Sequence, residues 1–446
     1  MKNSRRDFIR NSALGAAAVS IGGVLPGFSA KSYAAISGAN EKYNVAVMGV
    51  NSRGNALAKN FARQDNCVVA AICDVDSRAT EKTIGDVAAI TGTRPTGYGD
   101  FRKALEQKSI DIMVIATPDH WHAPAAILAA KAGKHVYLEK PCSHSPAEGE
   151  LAVAVSNKYN RLIQMGNQRR SWPNVQLGIQ EIKNGAIGRA YYAKGWYTNN
   201  RASIGIGKET SVPEWLDYEL WQGPAPRKAY KDNLIHYNWH WFWNWGTGEA
   251  LNNGTHMIDL MRWGLGVEYP NRVTSAGGRY RYKDDWETPD TQIITLEFDN
   301  NTLIEWEGRS CNGKNNEGNS VGAIFYGEKG SVIIDGNSYI VYDLENKVVK
   351  KVKNEVVIDA RNPVDPSQVI DAYHIQNLFD AIGKGTKLNS DILSGHQSTL
   401  MCQLGNIALR TGKTLNIDSS NGHILNDPDA MAFWSRKYEA GWEPTL

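Results

Sequence analysis

The stretch EALNNGTHMIDLMRW (residues 249–263) has helical periodicity and carries Asn252 and His256 four residues apart. At that spacing both side chains lie on one helical face and can reach the same small molecule. Two more clusters bear groups able to move protons: Thr117-Pro118-Asp119-His120-Trp121-His122, which begins in the apolar run DIMVIATP (111–118), and Glu139-Lys140-Pro141 at the end of HVYLEKP (135–141). Taking hydride from a carbinol carbon requires a base at its hydroxyl proton and a cation near the developing alkoxide. Lys140 and His256 can divide those roles, and partial desolvation of Lys140 lowers its pKa toward the working range of a base. An aspartate at 252 would hold His256 protonated; an amide leaves it neutral and still bonds a hydroxyl, so Asn252 is expected to contact substrate.

The elements that must position these groups fall into two textures. YNVAVMGV (43–50), VVAAICDVD (68–76), DIMVIATP and HVYLEKP alternate with helical segments, which predicts a doubly wound parallel Rossmann sheet over residues 43–160. Gly49-Val50-Asn51-Ser52-Arg53-Gly54 lies where a strand passes into a helix, the place of a phosphate-binding turn, with Asn51 standing at the middle glycine of G-x-G-x-x-G. Asparagine tolerates positive φ better than other non-glycine residues, which would keep the turn viable. Asp74 ends the second strand, where a carboxylate accepts from ribose hydroxyls and repels a 2′-phosphate; this favours NAD over NADP, with Arg78 pulling the other way. Gly49, Asn51, Ser52, Arg53, Gly54 and Asp74 are the expected cofactor contacts on this side. Thr117, Pro118 and His122 are added from the carboxyl end of the third strand recognised.

Residues 161–424 change to longer alternating runs such as RAYYAKGWYTN (189–199), RVTSAGGRYRYK (272–283) and TQIITLEFDN (291–300). They predict an α+β domain on a large, open, mainly antiparallel sheet, with turns at Asp299-Asn300-Asn301 and Asp335-Gly336-Asn337. An open face predicts a homo-oligomer. Asn238 to Trp245 place four tryptophans at alternate positions; if extended, one face is all indole, with Trp241 among the rings offered to a pyranose and His240 on the opposite side for hydroxyls. The tail 425–446 holds Phe433, Trp434, Tyr438 and Trp442 and is expected to pack on the body.

The first 34 residues differ from the rest. Arg5-Arg6 precede the weakly apolar run ALGAAAVSIGGVLPGFSA, and Ser32-Tyr33-Ala34 suits a signal peptidase. This predicts twin-arginine export to the periplasm with cleavage after Ala34, the translocase as a transient partner, and no stable membrane anchor. Removing residues 1–34 takes away Lys2, Arg5, Arg6, Arg10, Lys31 and Asp7, so 49 basic and 47 acidic residues become 44 and 46, and net charge passes from +2 to −2. No basic field remains for nucleic acid. The five cysteines are scattered without a C-x-x-C, so buried free thiols are expected rather than disulfides or a metal site.

The altered glycine turn, Glu139-Lys140-Pro141 and the G-x-H-x-x-D helix at Gly254, His256 and Asp259 resemble the Gfo/Idh/MocA family of oxidoreductases. The resemblance continues through IKNGAIGRAYYAKG (182–195), GTGEALNNGTHMIDLMRWGLG (246–266) and GHQSTLMCQLGNIALRTGKTLNID (395–418). It implies bound NAD, Lys140 beside the nicotinamide and the substrate hydroxyl, Glu139 on the nicotinamide ribose, Pro141 in a turn that is often cis, and His256 as the catalytic histidine. It also implies substrate contacts at Asn167, Arg169 and Arg170, with one of these arginines structural. The family's usual aspartate four residues before the histidine is Asn252 here. The expected function is that of an exported NAD-dependent oxidoreductase acting on a secondary hydroxyl of a sugar or glycoside, C3 for choice. The alternative is an NAD-dependent glycosidase similar to glycoside hydrolase family 109, with Tyr197, His236, Tyr237 or His240 as additional acid or base. A non-catalytic sugar-binding protein is the third reading.

Overall fold

The computed structural model describes residues 42–353 and 366–446. The twin-arginine segment and the cleavage point after Ala34 lie outside the described residues. Six strands, β1 (Tyr43–Met48), β2 (Cys67–Cys73), β3 (Thr96–Tyr98), β4 (Ile112–Ile115), β5 (His135–Leu138) and β6 (Ile163–Met165), form a parallel sheet in the order β3-β2-β1-β4-β5-β6. The order reverses between β1 and β4, which opens a crevice at their carboxyl ends. Every residue of β4 is buried, as the strands of a sheet covered on both faces must be. The three-residue strands β3 and β6 are too short to show a period in the sequence, and β6 carries this sheet past the expected boundary at residue 160.

The core of this sheet is completed from far along the chain. The helix Pro366–Lys384 lays Ile375, Leu378 and Phe379 against Val45, Phe61 and Tyr137. Phe379 stacks on Tyr43 with centroids 5.1 Å apart and meets Phe61 edge-on at 5.9 Å.

The second sheet has nine strands: β7 (Ala190–Thr198), β8 (Arg272–Gly278), β9 (Thr291–Phe298), β10 (Thr302–Arg309), β11 (Val321–Gly327), β12 (Gly330–Asp335), β13 (Ser338–Asp343), β14 (Val348–Val352) and β15 (Leu415–Asn416). Their order is β14-β13-β12-β11-β7-β10-β9-β8-β15, antiparallel throughout except for β7 beside β10. Asn301 at φ +55° and Gly336 at φ +50° make the two hairpin turns read in the sequence. β8 stops at Gly278 instead of running to Lys283, because Arg279 turns aside to pair with Asp284 at 2.6 Å and Asp290 at 3.1 Å. The helix Gly254–Leu265, which carries His256, crosses β7 so closely that a Cβ at Gly195 would lie 2.8 Å from Met261 Cε.

The tryptophan-rich segment departs from expectation. Asn238–Trp241 forms a 3-10 turn, so alternation in sequence does not gather the indoles on one face. The tail runs back over the first domain, where Trp442 meets Trp121 edge-on at 5.2 Å, and Arg436 and Tyr438 both bond Glu148 at 2.7 and 2.9 Å. All five cysteines are buried free thiols. No helix among the described residues is long and apolar enough to cross a membrane.

Candidate active site

A cleft of about 460 Å³ runs along the crevice, from the turn after β1, past the ends of β2, β4 and β5, to the His256 helix. At the turn, Gly49 has φ +81°, and a Cβ there would stand 2.7 Å from Thr117 N; at Gly54 it would stand 2.0 Å from Gly49 O. Only glycine lets the turn, the helix Arg53–Ala62 and β4 approach this closely. The left-handed conformation expected of Asn51 is taken by Gly49 instead, and Asn51 has no positive φ. That is why the middle glycine is dispensable here. Asn51 and Ser52 lie exposed on the cleft at the helix N-terminus, where free backbone amides and the helix dipole favour a phosphate.

Asp74 accepts from Val50 N–H at 2.6 Å and from Asp76 N–H at 2.9 Å. Those two amides orient a carboxylate that keeps lone pairs for ribose hydroxyls, while burial pushes its pKa up. Arg78 does not exert the opposing pull toward NADP: its guanidinium pairs with Asp76 at 2.9 Å and lies 3.4 Å over the Trp215 ring. Further along, Thr117 and Pro118 line the cleft, and Thr117 Oγ1 is buried without a partner. A glycine turn without room for a side chain, a fixed carboxylate at the end of β2 and an orphaned hydroxyl at the end of β4 fit a dinucleotide.

At the far end, Lys140 follows β5 on a cis Lys140–Pro141 bond. Its Nζ donates to Asn252 O at 2.5 Å and to Asn252 Oδ1 at 3.1 Å. The carbonyl is presented because the expected single helix breaks at Asn253, into Glu249–Asn252 and Gly254–Leu265. Burial lowers the pKa of Lys140 against the opposing pull of Glu139, Asp119 and Glu249. His256 faces the same cleft; burial, then Lys140, Arg169 and Arg53, hold its pKa well below the usual value, so its ring is neutral. Its Nδ1 is buried without a partner. Asn252 therefore touches Lys140, whereas the sequence paired it with His256. Its Nδ2 donates to Glu249 Oε1 at 3.2 Å, which aims Oδ1 at the lysine.

Several expected contacts are otherwise engaged. Glu139 accepts from Arg53 at 2.8 Å and from Gln168 at 3.0 Å; burial pushes its carboxyl up, but Arg53 and Lys140 hold it below its ordinary value. Arg53 lines the cleft as a brace, its other nitrogen on Asp371 at 2.7 Å. Both ring nitrogens of His122 face main-chain carbonyls, Pro141 O at 2.6 Å and Thr117 O at 2.8 Å, so it ties the two strand ends together. Arg170 is the structural arginine, bidentate on buried Asp259 at 2.8 Å through both bonds. Arg169 lines the cleft and forms no ion pair among the described residues; burial lowers its pKa to about 10. Asn167 is buried behind the cleft wall with neither end of its amide bonded, and does not line the cleft.

Trp241 is also absent from the cleft. It is 1% exposed and stacks on Trp286 at 3.9 Å, because the 3-10 turn swings it inward. The indole presented from that segment is Trp239, which stacks on His240 at 3.5 Å; burial lowers the His240 pKa to about 3. Tyr237 lines the cleft too, its hydroxyl accepting from Arg201 at 2.8 Å. Sequence reasoning missed Glu249, Gln168 and Asp371, and gave Asp119 no role of its own. Glu249, three residues before Asn252 in GTGEALNN, had a legible helical spacing; Asp371 had no signal, since only the fold brings it to Arg53.

The profile of the Gfo/Idh/MocA oxidoreductase family, NAD-binding Rossmann fold, matches residues 43–167, and that of its C-terminal alpha/beta domain matches residues 197–444. The chain belongs to the Gfo/Idh/MocA family. Its first domain is an NAD-binding Rossmann domain. Among curated relatives, a glycosyl hydrolase family 109 protein of Saccharopolyspora erythraea is 26% identical over 51% of this chain and 55% of its own length. Another family 109 protein, from Stenotrophomonas maltophilia, is 35% identical over 45% of this chain and 43% of its own length. The chain thus spans about half the length of the curated relatives it matches. Among solved structures, levoglucosan dehydrogenase in complex with NADH shares the fold, with TM-score 0.66 and 18% identity over 85% of this chain and 100% of the other.

Proposed function

We propose that this Gfo/Idh/MocA protein oxidises or reduces a secondary hydroxyl of a sugar or glycoside, at C3 by preference, with Lys140 as the base and His256 as its neutral partner. The observation that carries the reading is Lys140 Nζ, lowered in pKa and held by Asn252 on the cleft that His256 also lines. Bound NAD supplies the hydride acceptor. Lys140 Nζ takes the hydroxyl proton, and Asn252 keeps the ammonium so formed bonded. His256 offers its cleft-facing edge to the same oxygen. Trp239 offers a flat apolar face to a pyranose, and Glu249 orients the amide that orients the lysine.

The names of the curated relatives favour a second reading, net hydrolysis: oxidation at C3 acidifies the C2 proton, elimination expels the aglycone, water adds, and the ketone is reduced back. His236, Tyr237 and His240, all on the cleft, are candidate additional proton carriers for it. Incubation with methyl and p-nitrophenyl glycosides, following A340 and free aglycone together, separates the two. Accumulating NADH without aglycone means oxidation; aglycone release without NADH means hydrolysis; neither, across a panel of hexosides, removes the carbohydrate assignment.

The cofactor is expected to stay with the purified protein, given the close glycine turn and the fixed Asp74. Denaturation should release about one equivalent of NAD(H) per chain; an empty supernatant together with no calorimetric binding of added NAD would overturn this. We further propose periplasmic delivery through the twin-arginine translocase, on the strength of Arg5-Arg6 and the weakly apolar run after them. Replacing both by lysine should leave the precursor in the cytoplasm. Assembly as a homo-oligomer would cover the sheet face away from the helices, where Tyr326, Ile340 and Tyr342 are partly buried around the already buried Trp196, Ile324 and Ile333. Light scattering reads that mass directly.

Asn252→Asp places a charge against Lys140 and opposes a second carboxylate to Glu249. A negative neighbour favours the ammonium, so the pKa of the base rises and the acid limb of the kcat/KM profile moves to higher pH. An unmoved limb would mean that Lys140 is not the base that profile reports.

A further inference from the structure

A second cavity, of about 510 Å³, lies behind the active-site wall. Residues 226–228, 243–247 and 433–437 and the helix Ile392–Thr411 line it, and it opens to solvent where Lys228, Arg410 and Lys437 are exposed. The proposed redox chemistry uses none of its charged groups. Arg410 stands in its wall between the rings of Trp243, 4.7 Å away, and Phe433, 4.2 Å away. Two rings hold the guanidinium plane and leave its N–H edge available, and this edge forms no hydrogen bond or ion pair among the described residues. Lys228 and Lys437, both exposed, also line it and likewise form no ion pair among the described residues. Arg436 gives Nε to Glu148 and Nη2 to His120 O, each at 2.7 Å, and leaves Nη1 buried with no partner. His144 Nε2 is also buried without a partner. Among the described residues Glu287 is the only carboxylate in the lining; its Oε2 accepts from Trp243 N–H at 2.8 Å, and its charge acts on Arg410 without pairing with it.

We propose that this cavity binds a small organic oxyanion, a carboxylate or phosphate ester of up to roughly monosaccharide size, through the edge of Arg410 with Lys228 and Lys437 around it. A planar guanidinium meets a carboxylate or phosphate through two parallel hydrogen bonds, and three unpaired cations against one engaged carboxylate supply the field that selects an anion. The cavity is larger than an inorganic ion needs, which points to an anion carried on an organic body. Its wall includes Thr247 and Leu251, on the segment that carries Asn252, so the occupant would touch the back of the element that holds Lys140.

The test is isothermal titration of the NAD-loaded protein with inorganic phosphate and, separately, with glucuronate, at an ionic strength fixed with chloride. Wild type should bind at least one of them saturably, and Arg410→Gln should weaken it by about tenfold or more, the loss of one charge-assisted contact. Lys437→Gln, on an exposed side chain that the fold does not need, should weaken it a few-fold and decides the matter if Arg410→Gln does not fold. A glucuronate preference assigns the carboxylate source and a phosphate preference the phosphate source. Absence of saturable binding of both anions overturns the proposal. Binding that survives both substitutions, or that Arg169→Gln in the cleft removes instead, also overturns it.

Discussion

Lys140→Met should lose turnover by about 10²–10⁴-fold, the usual cost of deleting a positioned acid or base, while the protein keeps its NAD. Lys140 Nζ meets Asn252 and the cleft, whereas the phosphate turn at Gly49 and Gly54 is built from other elements. Methionine preserves the stem and removes only the proton carrier. The expected pattern is full NAD(H) release on denaturation and kcat/KM depressed at every pH. A variant retaining more than about a tenth of the wild-type rate across the pH range would move the base to His256.

Arg170→Leu should act on the fold rather than on substrate. Removing one partner of a buried bidentate pair leaves Asp259 charged and unpaired, a cost of about 3–5 kcal/mol. Asp259 is held below its usual carboxylate range because Arg170 outweighs the effect of burial; without the arginine burial pushes its pKa up, so the loss should shrink at acid pH, where Asp259 takes up a proton. A large fall in denaturation midpoint is expected, with partial recovery in the double variant Arg170→Leu, Asp259→Leu. If Arg170 were a substrate ligand, KM would rise and the midpoint would stay; that result would return it to the cleft.

The contrast between Arg169 and Arg170 shows what the sequence carries. Adjacent residues in MGNQRRS point in opposite directions because a 3-10 turn, Gln168–Ser171, separates their side chains; no periodicity announces so short a turn. The parallel sheet was legible because buried strands are continuous apolar runs, and the meeting of Lys140 and His256 on one cleft because Glu139-Lys140-Pro141 and the His256 helix lie at element ends where ligands bind. The Trp241 expectation failed because an alternating pattern has meaning only in an extended chain. The partnership of Asn252 with Lys140 depends on a helix break at Asn253, and of Arg53 with Asp371 on a contact across 318 residues. Both are tertiary facts.

The helix Pro366–Lys384 has a bearing on how the protein comes into being. Until Phe379 has left the ribosome, Tyr43 and Phe61 on the emerging first domain have no cover from it, and Arg53 awaits Asp371. The nucleotide-binding unit therefore cannot mature during synthesis in the usual order, amino-terminal domain first; it must wait for most of the polypeptide. A fragment ending at Met165 would present that bare aromatic face to water and should aggregate, whereas adding the late helix in trans should rescue it.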